Sequence, residues 1–293
     1  MFKFAPATAA LVAAGAVSFA VAATPALKVD VYNPGSKSIF PVSSELVTGK
    51  KEAVLIDAQF QRNDAEALVK KIRASGKTLT TIYISHSDPD FYFGLDTLKA
   101  AFPNAKIVAT PQTVEKIRAS MDGKLAYWGP ILKDNAPKSL VLPEVLKGDS
   151  ITLEGRQLKV VGLDGATPDH TFVWIPSAKT VTGGVVVFGN MHVWVADNQT
   201  PVSRQNWYAT LKQIEALKPK TVIPGHFVGD APMNLKSVAF TRDYLQAFET
   251  EATKAKDAAA LIGAMDRLYL QFGRDATLEI SAKVIKGEMK WPQ

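Results

Sequence analysis

The chain has 293 residues, 47% of them hydrophobic, with no cysteine, four histidines and a formal net charge of +6. The lack of cysteine excludes disulfides, thiolate metal ligands and a cysteine nucleophile, so stability must come from a packed core. Lysines are spread among Glu and Asp along the helical stretches and form no basic block, which argues against a nucleic-acid surface and leaves a small molecule or a peptide as the expected partner, a small-molecule substrate first.

At the N-terminus, Lys3 is the one charge before Lys28, and an Ala/Val/Phe run extends over 9–23. Ala20-Val21-Ala22 has the small-x-small form of a cleavage site, so residues 1–22 read as a secretory signal. The mature part, 23–293, is then expected as one exported domain, periplasmic or secreted. No later segment is apolar enough to span a bilayer, so no membrane contact is expected after cleavage.

Residues 27–32 alternate like a strand, and Asn33-Pro34-Gly35-Ser36 makes a turn. Strands are predicted at 40–47 and 52–57, joined by Gly49-Lys50-Lys51. An amphipathic helix over 63–75 places Ala67, Leu68 and Ile72 on one face and stops at Gly76. A strand over 79–84 leads into His86-Ser87-Asp88-Pro89-Asp90-Phe91-Tyr92-Phe93-Gly94. A helix over 95–102, a strand over 106–109 and a helix over 111–121 follow. Gly129-Pro130 and the prolines at 137 and 143 then mark an irregular crossing that would wall or cover the site. Short strands are predicted at 151–153, 158–162, 172–175 and 180–188, a helix at 205–217 and a strand at 221–223. Residues 235–270 read as a helical extension. Strands and helices, then strands and helices again, fit two mixed β-sheets flanked by helices, an αββα sandwich.

His86, Asp88 and Asp90 stand at alternate positions beyond a strand end, where open α/β sheets place their ligands. Imidazole and carboxylate together suit zinc, manganese or iron. Asp88-Pro89-Asp90 equally reads as a helix start, with Asp88 as cap and Asp90 near the positive end of the dipole. His226 ends a strand inside Pro224-Gly225-His226, and His170 precedes one. His192 and Asp197 follow a strand that should run beside the site. They read either as compensating ligands or substrate contacts, or as a half-buried loop anchored by Trp194. Asp57 reads as a support that holds the His86 loop by hydrogen bonds. Phe91, Tyr92, Phe93, Tyr127 and Trp128 line a pocket or fill the core.

Four segments in order resemble the metallo-β-lactamase superfamily: 53–57, 86–94, 167–176 followed by Gly183-Gly184, and 224–226. The family's hallmark is a His-x-His-x-Asp-His loop ending in glycine, then a third histidine, a bridging Asp or Cys, and a last histidine. The resemblance implies one or two metals that activate a hydroxide. His86, Asp90 and His226 match, and Asp88 replaces the second histidine. Phe91 replaces a histidine, the third histidine falls on Ala166 or His170, and the bridge falls on Gly184 or Val185. The implied ligand set is His86, Asp88, Asp90, His170 and His226 around one divalent ion, zinc first, with Asp90 handling the water proton. The implied activity is hydrolysis of an ester, lactone or amide. The alternative is a non-catalytic relative, without an ion, that binds a ligand or partner in the altered cleft.

Overall fold

The computed structural model describes residues 1–2, 27–168 and 170–291. Except for Met1 and Phe2, the expected export signal lies outside the described residues. No helix among the described residues is long and apolar enough to cross a membrane.

Six strands, β1 (Lys28–Tyr32), β2 (Ser44–Thr48), β3 (Glu52–Ile56), β4 (Thr78–Ile84), β5 (Lys106–Ala109) and β6 (Glu144–Val145), form the first sheet in that order. The β1–β2–β3 pairs are antiparallel and the β3–β4–β5–β6 pairs parallel. They are followed by β7 (Ser150–Leu153), β8 (Arg156–Val161), β9 (Phe172–Ile175), β10 (Thr180–Thr182), β11 (Phe188–Gly189), β12 (Thr221–Val222) and β13 (His226–Phe227). The second sheet runs β12-β10-β9-β8-β7, while β11 and β13 pair as a separate parallel ladder. The helices are α1 (Arg62–Ala74), α2 (Pro89–Tyr92), α3 (Leu95–Ala101), α4 (Pro111–Leu132), α5 (Pro201–Ala216), α6 (Leu235–Lys254), α7 (Ala258–Leu268) and α8 (Ala276–Ile285).

Strand alternation sorts the side chains into layers. Val54 and Ile56 of β3 join Tyr83, Leu158, Val173 and Ile175 in a core between the two sheets. Ala53 and Leu55 of the same strand pack on the other face with Leu68 and Ile72 of α1 and Leu98 of α3. A third core lies outside the second sheet, where Val181 and Val222 meet Trp207, Leu211, Leu245, Met265 and Leu278 of α5 to α8. Helix, sheet, sheet, helix is the αββα sandwich that the element order implies. Each fully buried Leu or Ile contributes about 1.5–3 kcal/mol of transfer free energy, so these three layers carry the stability that disulfides cannot.

Several boundaries differ from the sequence reading. The predicted strand over 40–47 begins at Ser44, because Val42 bridges instead to His226 and Ser43 donates to the Gly225 carbonyl. The strand over 180–188 breaks after Thr182, where Gly183 and Gly184 take left-handed φ values of 73° and 75°. Helix α4 runs on to Leu132 through the stretch read as an irregular crossing. Pro130 lies close to the C-terminal end of the helix, so the break its ring imposes is confined to the last turns. Trp128 packs its ring 5.3 Å from Phe40 and 5.4 Å from Phe60, holding the last turns in place. Helix α5 starts at Pro201, four residues earlier than its apolar period suggests, because Thr200 and Ser203 form a reciprocal capping box. Helix α8 was not anticipated, and Leu278 and Ala282 bury its inner face.

Glu45 on β2 is fully buried. Burial pushes its carboxyl up from 4.5 to about 7, although the Ser43 and Thr182 hydroxyls beside it pull it down. The unfolded chain ionises this group first as pH rises. Its stabilising contribution is therefore complete below about pH 4.5 and is lost as pH climbs through about 7. Unfolding in denaturant at pH 5 and pH 8 should show wild type losing about 2 to 3 kcal/mol more between the two than Glu45→Gln does. A second expected outcome concerns Gly184: an added Cβ would stand 2.2 Å from the Thr171 carbonyl oxygen at a left-handed φ. Gly184→Ala should lower the unfolding free energy by about 2 kcal/mol or more, read as a drop in Tm.

Candidate functional site

The site sits where the parallel strands of the first sheet end against the Gly183-Gly184 turn. Asp57, at the end of β3, has a left-handed φ of 63° that turns its carboxylate back toward β4. It accepts the backbone N–H of Ser85 at 2.8 Å and the Ser85 hydroxyl at 2.6 Å. The Ser85 Oγ in turn accepts the Gly184 N–H at 2.7 Å. Burial pushes the Asp57 carboxyl up and the two Ser85 hydrogen bonds draw it back. Three chain segments are tied together at this point, which is the supporting role read for Asp57 in the sequence.

Beyond Ser85 the candidate residues divide into two groups. In the first, the buried His86 ring accepts the Asp88 backbone N–H at 3.2 Å and lies 3.5 Å from the Asp88 carboxylate. The His170 ring lies 5.6 Å from that of His86, so His170 is brought to this loop. Asp88 occupies the N-cap position of α2 but makes no side-chain cap bond. Its carboxylate instead meets the Lys124 ammonium of α4 at 3.1 Å, and Lys124 also donates to the Ser87 carbonyl at 2.8 Å. Burial alone would raise the Asp88 carboxyl. His86, Lys124 and His170 outweigh it and hold the group at about 2, so it is ionised throughout the physiological range.

In the second group, His226 Nε2 lies 2.7 Å from Asp90 Oδ2, both residues being buried. The carboxylate is the acceptor, so Nε2 carries the proton. His226 Nδ1 is buried with no partner among the described residues. Phe188 stacks on the His226 ring at 5.2 Å and 10°.

The Phe91 ring stands between the groups, 5.3 Å from His86 and 5.5 Å from His226. Loops far apart in sequence do converge, but a phenyl ring occupies the middle of the convergence. Among the described residues no three His, Cys, Asp or Glu side chains are placed to hold a metal ion. Asp90 is engaged by His226 and Asp88 by Lys124. A bridging carboxylate at Gly184 would collide with Thr171. The residues present do not fit the ion site that the sequence resemblance implies.

Next to this convergence is a cleft with a cavity of about 100 Å³. Asp88, Asp90 and His226 form its polar end, and Trp128, Trp194 and Trp291 are among its apolar walls. Of the residues read as substrate contacts, Phe91 and Tyr92 are buried in the first-sheet core and not in the cleft lining. Tyr127 and Trp128 do line it, and Phe93 is core, packed 5.6 Å from Phe60. Asp197 acts on the walls: its carboxylate accepts the indole N–H of Trp194 and of Trp291, each at 2.7 Å. Packing around it and the Asp88 charge push its carboxyl up to about 6 while the indoles pull it down, and water reaching the group blunts that push. His192 is placed elsewhere. It is fully buried, with Nδ1 2.8 Å from the Tyr244 hydroxyl and Nε2 2.8 Å from the Gly273 carbonyl, so it is an anchor of the C-terminal helices and no compensating ligand. Lys124 escaped the sequence reading because nothing in its helical surroundings separates it from the surface lysines; its spacing to Tyr127 and Trp128 was the one available signal.

Two solved structures share the fold. The DIM-1 metallo-β-lactamase exposed to ceftazidime is 22% identical with a TM-score of 0.52, the alignment covering 76% of this chain and 98% of that one. The metallo-β-lactamase from Pontibacter korlensis is 19% identical with a TM-score of 0.53, covering 75% and 99%. An uncharacterized protein of Bacillus subtilis (strain 168), YobT, is 34% identical over 71 residues, which is 24% of this chain and 30% of that protein. The alignment thus spans less than a third of that relative. The family model described as metallo-beta-lactamase superfamily matches residues 39–226, the span that runs from the connection between β1 and β2 to the last candidate histidine. The chain belongs to the metallo-β-lactamase superfamily.

Proposed function

We propose that this protein is an exported, small-molecule-binding member of the superfamily whose cleft takes a compact, ring-bearing apolar ligand. One observation carries the reading: the Phe91 ring lies against both His86 and His226, where the family would gather ligands around an ion. The cavity of about 100 Å³ is on the scale of the roughly 150 Å³ engineered cavity that accepts benzene. Its indole walls offer stacking and edge contacts to a ring. Asp197 fixes two of those walls by their N–H groups, so the aromatic faces are presented without a rotamer search, which reduces the entropy lost on binding.

Hydrolysis of a small ester, lactone or amide is the second reading, and the Asp90–His226 pair favours it. Asp90 holds the Nε2–H tautomer, which leaves Nδ1 as the lone-pair atom able to take a proton from water. The pair would supply the base, and the Asp90 carboxylate would stabilise the imidazolium that forms.

Three outcomes are expected. Benzyl alcohol, followed by ligand-observed NMR and tryptophan quenching, should bind at a single site, and Trp194→Leu should weaken it by about three- to tenfold. No binding of benzyl alcohol or of related monocyclic probes would remove the first reading. On a panel of aryl esters and lactones, turnover that falls by about a hundredfold or more in His226→Ala would favour the second; turnover unchanged by that substitution would sink it. Protein recovered from outside the cytoplasm should begin at Ala23, checked by intact mass, and a retained N-terminus would contradict export.

A further inference from the structure

The ammonium of Lys124 lies in the half of the site that holds His86, Asp88 and His170. Its hydrogen bonds go to the Asp88 carboxylate at 3.1 Å and the Ser87 carbonyl at 2.8 Å, both within the loop that in this family carries metal ligands. Its side chain is about four-fifths buried, with a relative exposure of 22%. A lysine Nζ held between a carboxylate and a carbonyl presents a unit of positive charge and three short donors in the space of a small cation.

We propose that Lys124 is the resident cation of this cleft: it supplies internally the positive charge that balances the His86–Asp88–His170 group, and by holding Asp88 it keeps a divalent metal out. This inference rests on the reading of the cleft as a site without an ion. It explains why an aspartate stands at position 88, where the family has a histidine, in a chain that lacks the bridge and carries Phe91. An ionised carboxylate in this partly buried position needs a partner, since removing it would leave an uncompensated, partly desolvated charge. Lys124 is that partner. The other carboxylates near the cleft have partners of their own, with Asp90 held by His226 and Asp197 by two indoles. A divalent ion entering the first group must displace the ammonium or share Asp88 with it at close like-charge distance, and both are unfavourable.

The test is zinc binding by the chelator-treated full chain, measured by isothermal titration and by competition with a chromophoric zinc indicator. The variants are Lys124→Met, Lys124→Gln and Lys124→Arg, each checked for native circular dichroism and tryptophan emission. Wild type and Lys124→Arg should bind zinc weakly and alike. Lys124→Met and Lys124→Gln, which drop the charge, should each bind roughly tenfold tighter or more. That gain should vanish when Asp88→Asn is added to Lys124→Met. If neither neutral variant gains affinity while wild type stays weak, the role of Lys124 is overturned and the ion-free cleft stands. If wild type itself takes up zinc stoichiometrically and tightly, the ion-free cleft is overturned and the Lys124 proposal falls with it. Should Lys124→Met fail to fold, Lys124→Gln, which keeps a donor for the Ser87 carbonyl, decides the matter alone.

Discussion

Everything at the cleft depends on the hydrogen-bonded tie between Asp57, Ser85 and Gly184. It connects the end of β3, the end of β4 and the glycine turn that closes β10. The tie has a conformational cost, because Asp57 is a non-glycine residue in the left-handed region, a strain on the order of 1–3 kcal/mol. Two short bonds to Ser85 offset that strain and part of the cost of burying the carboxyl. The consequence reaches residues 86–94, whose backbone path is set by a residue that is itself outside the proposed ligand set. His86, Asp88, Asp90 and Phe91 can therefore differ in chemistry without moving the loop. That separation of scaffold from ligand identity is how a chain can keep the superfamily's fold while its site residues no longer fit an ion.

The regular parts of that scaffold were legible in the sequence wherever one physical signal dominated. Lys106–Ala109 and Phe172–Ile175 are short β-branched or aromatic runs with clear ends, and α1 carries Leu68 and Ile72 on one face with Gly76 to stop it. Local punctuation misled where tertiary packing overrode it. Gly129-Pro130 reads as a break, yet Trp128 anchors the turn that contains it against Phe40 and Phe60. In 180–188 the apolar run suggested one strand, while two glycines with positive φ bend it so that Gly184 can reach Ser85. A continuous β pattern carries no information about a hydrogen bond to a residue 99 positions away.

The site was legible as a meeting of residues and not as a set of pairs. His86, Asp90 and His226 do come to one region, and His170 joins them. What each side chain does there depends on partners that spacing does not reveal: Asp90 with His226 across 136 residues, and Asp88 with Lys124 across 36. Asp88 illustrates the point most directly. Ligand and helix cap were the two readings available from neighbours in sequence, and the structure gives its backbone the cap position and its carboxylate a salt bridge from another helix. Rarity misled for His192, since one of only four histidines proved to be a core residue with both ring nitrogens matched.

These pairings together determine what the cleft can recognise. Its three neighbouring carboxylates are each satisfied by groups of the chain itself: an ammonium for Asp88, an imidazole for Asp90, and two indoles for Asp197. A charged ligand would have to compete with those bonds, and breaking a partly buried pair costs more than an exposed contact returns. An apolar ring has no such competition. It meets indole and aliphatic surface already held in place and gains free energy in proportion to the area it removes from water. The internal saturation of its charges is therefore what biases this cleft toward uncharged, ring-bearing ligands, while beside it His226 Nδ1 is buried without a partner among the described residues.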